Sequence, residues 1–174
     1  GKPDFQIERL RTGIPVIIEN KLRLNRLVAS NKDAIKLDDA SVSNFAVNGA
    51  IYYAQNMIAS EKYSEVIAIG IAGDNAENVK IDVHYVYGSG EDTYKHMTQY
   101  TTLDFLENEA SFAHFYQAAT LTEEEKHQIL IDSREKLQKY AKELNKLMHN
   151  HAITAPERVL YVSCMLLSMQ DLKD

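Results

Sequence analysis

Three residues near the start of the chain have the types and spacing to hold a metal and hydrolyse a phosphodiester. Asp4 follows Pro3, and after fourteen further residues come Glu19-Asn20-Lys21. Carboxylates offer hard oxygen ligands, and one or two of them together with substrate phosphate are how Mg²⁺ is usually held. Mn²⁺ is the expected substitute. A metal held in this way polarises the phosphate and lowers the pKa of a bound water. A lysine ammonium beside it can orient that water and offset charge developing in the transition state.

For that chemistry the local elements must bring Asp4, Glu19 and Lys21 together. Phe5-Gln6-Ile7 and Pro15-Val16-Ile17-Ile18 are β-prone runs flanking Arg11-Thr12-Gly13, a turn of hairpin length. Antiparallel pairing about residue 12 makes facing positions sum to about 23 or 24, which sets Asp4 opposite the neighbourhood of Glu19. Strand side chains alternate, so Glu19 and Lys21 share one side of the sheet and Asn20 takes the other.

The rest of the chain supplies the scaffold. After the alternating stretch Leu22 to Val28, a polar segment from Ser30 to Ser43 reads as an exposed connection. From Ser43, a candidate N-cap, to Ala59, the residues Val47, Ala50, Ile51, Ala54, Met57 and Ile58 recur at spacings of three and four. They predict an amphipathic helix on which Tyr52 and Gln55 share a face that could look back at the hairpin. Val66 to Ala72 is a continuous apolar run, expected to be a strand buried on both faces. Val79 to Tyr87 alternates, with Lys80, Asp82, His84 and Val86 on the face expected to be wetter. Gly88-Ser89-Gly90 reads as a loop. These elements predict a mixed α/β core.

Residues 119–174 change character. Thr122 with Glu125 and Thr154 with Glu157 are capping boxes, with Pro156 tolerated in a first turn. They open two helices, the first striped by Leu130, Leu137, Tyr140, Ala141, Leu144, Leu147 and Met148. The second carries Val159, Leu160, Val162, Met165, Leu166 and Met169, and the pair is expected to form an antiparallel hairpin. The single Cys164 lies in that second helix and is expected to be buried. One cysteine supports neither a disulfide framework nor a thiolate metal site, and a reducing cytoplasm is the simple inference.

With 174 residues, 45% hydrophobic and no apolar run near eighteen, the chain reads as globular, with no membrane partner. Its net charge of −6 is unevenly distributed. Residues 1–36 hold eight Lys or Arg against four Asp or Glu, a balance of +4, so the remainder carries −10. The basic excess, including Arg23, Arg26 and Lys32, lies beside the proposed metal site, where phosphate contacts with double-stranded DNA would be needed. No Ser-His-Asp or Cys-His arrangement stands out. His149 and His151 fall at a helix end, and His84, His96, His114 and His127 receive no role.

The pattern Pro3-Asp4 … Glu19-Asn20-Lys21 resembles the signature of the PD-(D/E)XK nuclease superfamily. Pro15 to Leu22, Asn48 to Gln55 and Val66 to Asp74 are similar to the amino-terminal nuclease region of large restriction-modification proteins that carry an N6-adenine DNA methylase downstream. The resemblance implies a restriction-endonuclease-like α/β fold over residues 1–118. It also implies a helical connector over 119–174, leading towards methylase and specificity regions or subunits. Asp4 and Glu19 would be metal ligands and Lys21 would position the attacking water. Gln55 would occupy the place of a glutamine that some members carry near the metal. Double-strand cleavage would invoke a homodimer. The family's usual helix and strand ahead of the aspartate are not in this sequence, nor is a methylase Asn/Asp-Pro-Pro-Tyr/Phe tetrapeptide. The competing expectation is a noncatalytic relative that positions DNA or links domains. A third is a ligand-binding module using a crevice at the end of the Val66 strand.

Overall fold

Runs of valine and isoleucine build the sheet of the first of two compact units, Gly1–Thr120 and Leu121–Asp174. The computed structural model describes residues 2–8, 13–32 and 34–168. The Arg11-Thr12 part of the expected turn and Met169 therefore lie outside the described residues. In the first unit the elements run β1 (Phe5–Ile7), β2 (Val16–Lys21), β3 (Ser30–Asn31), β4 (Ala34–Ile35), α1 (Asp39–Asn44) and α2 (Ala46–Ala59). They continue as β5 (Val66–Asn75), β6 (Asn78–Val86), β7 (Tyr94–His96) and α3 (Glu109–Ala119). The main sheet has the order β1-β2-β5-β6-β7. β2 and β5 run parallel, and the other neighbours are antiparallel. The expected mixed α/β core is what forms.

A parallel β2–β5 pair needs a crossover, and α2 lies on that connection. Its apolar stripe packs on the sheet. Val47, Ala50, Ile51 and Ala54 join Ile17, Val66, Ala68 and Val86 in one buried cluster, with Met57 and Ile58 at its margin. Each fully buried aliphatic side chain of this kind contributes about 1.5–3 kcal/mol. The helix approaches closely because Gly70 has no side chain: a Cβ there would lie 2.6 Å from the Val47 backbone nitrogen. β5 is buried on both faces, as its continuous apolar run implies.

Two local expectations are corrected. Ser43 does not cap the long helix, because residues 39–44 form α1, capped by Asp38, whose carboxylate accepts from the Ser41 N–H at 3.0 Å. Extended backbone at Phe45 separates α1 from α2. The Lys80-to-Val86 face of β6 is not uniformly wet either. His84 and Val86 are buried, since they pair with Ala68 and Val66 on the face that α2 covers. On the opposite face, Tyr85 of β6 and Tyr116 of α3 both donate to Glu65, tying α3 to the sheet. α3 itself is an element that the sequence pattern left unread.

In the second unit, α4 (Glu123–Asn150) and α5 (Ala155–Ser168) start at the expected caps. Glu125 N–H bonds Thr122 Oγ1 at 3.1 Å, and Thr154 N–H bonds Glu157 at 2.8 Å. Arg158 of α5 donates to Asn145 of α4, bringing the two helices together beside their turn. Their apolar residues are less covered than expected. Leu137, Tyr140, Val159, Leu160 and Leu167 are exposed, and so is Cys164, which corrects its assignment to the interior. Two helices alone cannot bury both stripes.

Candidate functional site

The hairpin register decides the geometry of the site. Phe5 pairs with Ile18, Gln6 with Ile17 and Ile7 with Val16, each pair summing to 23, so continuing the ladder sets Asp4 against Glu19. The two acids interlock. Asp4 N–H donates to Glu19 Oε1 at 3.1 Å, and Asn20 N–H donates to Asp4 Oδ2 at 2.8 Å. Each carboxylate thus binds the other strand's backbone, which fixes its orientation. Lys21, two residues along and on the same face as Glu19, lies with Nζ 3.5 Å from Glu19 Oε2. The three residues singled out by type and spacing are brought together.

Electrostatics mark Glu19 as the constrained member. Its side chain is nearly buried. Burial, and next the charge of Asp4, push its carboxyl above the ordinary glutamate value of 4.5, against the pull of Lys21 and the Asp4 N–H. A carboxylate whose charge is penalised by burial and by a neighbouring acid is relieved by a cation placed beside it. All donors present are hard oxygens, which suit Mg²⁺ or Mn²⁺.

Sequence reasoning passed over two neighbours. Gly49 lies against Glu19, since a Cβ there would sit 3.3 Å from Glu19 Cγ, so the absence of a side chain makes room for the carboxylate. Tyr53 packs at the margin of the core. Burial, then the charge of Glu19, with Tyr52 and Asp4 adding, raises its phenol above 10.0. Spacing from Gln55 could have flagged Tyr53 only if the helix's rotation had been known.

Gln55 is placed elsewhere. It is buried, and its Nε2 donates to the Gly90 carbonyl at 2.8 Å. It pins the Gly88–Thr93 loop, which Thr93 also holds through its hydroxyl. The basic residues divide. Lys21, Arg23 and Arg26 line one shallow cleft with Ser43 and Asn44, and the Arg26 guanidinium lies 5.6 Å from the Phe45 ring centroid. Lys32 instead occupies the β3–β4 turn with a left-handed φ of 57°. Buried Asn48 holds the segment leading there, bonding the Ala29 N–H and carbonyl and the Lys36 carbonyl.

A mixed sheet that presents two interlocked carboxylates and a lysine beside a basic cleft defines a class of site suited to a divalent cation and an anionic substrate. The chain is 30% identical to the type II restriction enzyme and methyltransferase RM.BcgI of Heyndrickxia coagulans, and the alignment covers 98% of this chain. It spans only 26% of that relative's length. The likeness relates the chain to restriction-modification proteins. No family model matches it, and no solved structure does. Among the described residues, no helix is long and apolar enough to cross a membrane.

Proposed function

We propose that this chain is the metal-dependent endonuclease module of a restriction-modification protein, acting on double-stranded DNA next to a methylase region. The observation that carries this reading is the reciprocal hydrogen bonding of Asp4 and Glu19 across the β1–β2 hairpin, with Lys21 beside them. The PD-(D/E)XK pattern and the likeness to a restriction enzyme and methyltransferase support it.

In this reading Asp4 and Glu19 hold Mg²⁺, or Mn²⁺ in its place. The bound ion supplies Lewis acidity and lowers the pKa of water. Lys21 Nζ, held beside Glu19, donates a hydrogen bond to the attacking water and offsets negative charge as the P–O bond breaks. Arg23 and Arg26 bind flanking phosphates, which positions the strand without reading its bases. Gln55 fixes the Gly88–Thr93 loop and has no part in this step.

The direct test is cleavage of supercoiled plasmid with Mg²⁺ or Mn²⁺ by the chain, Asp4→Ala and Lys21→Ala. Nicking or linearisation by wild type, reduced at least ~100-fold in both variants, is expected. If wild type is inactive, calorimetric titration with Mn²⁺ separates the alternatives. Binding lost in Asp4→Ala keeps the metal site, and no binding leaves a noncatalytic DNA-positioning or linking module.

A further inference from the structure

β6 and β7 bring together three residues that the proposed cleavage does not involve. His84 pairs with His96 across the hairpin, and Asp82 lies two residues before His84 on the same face of β6. One ligand atom from each lies within 4.8 Å of the others. Asp82 Oδ1 contacts His96 Nε2 and lies 3.8 Å from His84 Nε2, too far for a hydrogen bond to the latter. His84 is 3% exposed, and neither of its ring nitrogens has a hydrogen-bond partner among the described residues.

A histidine used only for packing is an uneconomical choice here. A neutral imidazole carries one N–H and one lone pair, and burying both unsatisfied is unfavourable, whereas an apolar ring of similar size would avoid it. Asp82 and His96 also line an open cleft with Lys80, Thr98, Tyr100 and Thr101, so the cluster has a solvent side from which an ion can enter. Two imidazoles and one carboxylate are a borderline donor set that selects Zn²⁺ and its neighbours over Mg²⁺.

We propose that Asp82, His84 and His96 form a transition-metal site of the zinc class, separate from the Asp4–Glu19 pair, with the fourth position open to water from the cleft. The separation follows from the sheet. Glu19 pairs with Gly70 and Gly70 with Asp82, and Val47 of α2 stands over Gly70 between the two acids. Ligands of a tetrahedral ion sit about 3.3 Å apart, so Asp82 and His84, at 3.8 Å, need little closure, and the direct Asp82–His96 contact opens as the ion enters. The two imidazoles now stack, with centroids 4.5 Å apart and planes at 12°. His84 is fixed by burial, and half-exposed His96 supplies the ring that swings to aim its lone pair. Bound there, the ion cross-links the edge strand β7 to β6 and steadies the loop that Gln55 grips.

The test is titration of the metal-free chain with Co²⁺, read by visible absorption, followed by displacement with Zn²⁺. One equivalent of Co²⁺ should give the intense bands of four-coordinate nitrogen and oxygen ligation, abolished by Zn²⁺. His96→Ala, chosen because its ring is exposed, and Asp82→Asn should each weaken the Co²⁺ signal at least about tenfold. Glu19→Gln should leave it unchanged. Absence of the bands in wild type, or their retention in His96→Ala, overturns the site. Neither outcome bears on plasmid cleavage through Asp4 and Glu19.

Discussion

Glu19 is held where its charge is unfavourable to the fold, and this has a measurable consequence. Because its folded pKa is raised above 4.5, the ionised form destabilises the metal-free chain. The favourable contribution is fully present below the unfolded value and is lost as pH rises through the folded one. Glu19→Gln keeps an oxygen that can accept from the Asp4 N–H but removes the charge. Metal-free thermal melts should therefore show the variant more stable at pH 7, by about 2–4 °C for each ~1 kcal/mol relieved. The difference should close below pH 4.5. Mg²⁺ should stabilise wild type and leave the variant unmoved, and a variant no more stable than wild type at pH 7 would contradict the picture. That Asp4, Glu19 and Lys21 lie together was legible in the sequence because a two-strand hairpin is a local object, and its register follows from turn position. Gly49 was not, because only the docking of α2 brings it to Glu19.

At the scale of elements, α2 connects sheet to site. Its first turn rests on Gly70 and its Gly49 backs Glu19, so the depth of the helix on the sheet sets the room for the carboxylate. Gly70→Ala would place a Cβ 2.5 Å from Val47 Cγ2 and 2.9 Å from its Cα, a clash with backbone that no rotamer change relieves. Overpacking of this kind destabilises by about 1–3 kcal/mol. A lower midpoint in urea, with Mn²⁺ affinity reduced alongside it, is the expected outcome. Unchanged stability would mean that α2 is free to lift. The helix itself was readable from its apolar spacing. Its true start was not, because the break at Phe45 is a matter of backbone direction that periodicity does not register. Gln55 illustrates the same limit: its helical position was correct, but its partner, the Gly90 carbonyl, lies 35 residues away in sequence.

For the molecule as a whole, a net charge of −6 fits the proposed binding of DNA only if the charges are segregated, with +4 over residues 1–36. The structure concentrates Lys21, Arg23 and Arg26 around one cleft beside the carboxylates. Duplex binding measured by fluorescence anisotropy across a salt series should therefore fall with rising salt. Arg23→Ala and Arg26→Ala should each lower the slope of log K against log[salt] by about 1, with little change in sequence preference. Slopes equal to wild type would move the DNA to another surface.

By itself the sequence determined the first hairpin and the meeting of Asp4, Glu19 and Lys21 on it, the strands β5 and β6, the amphipathic α2 and the capped helices of the second unit. Each of these depends on neighbours a few positions apart, while β3, β4, β7 and α3 went unread. Tertiary structure alone decided which face of β6 is dry, which loop Gln55 serves, and that Asp82, His84 and His96 meet. Those outcomes depend on which element covers a face and on pairing across a turn, and the periodicity of a single strand carries neither.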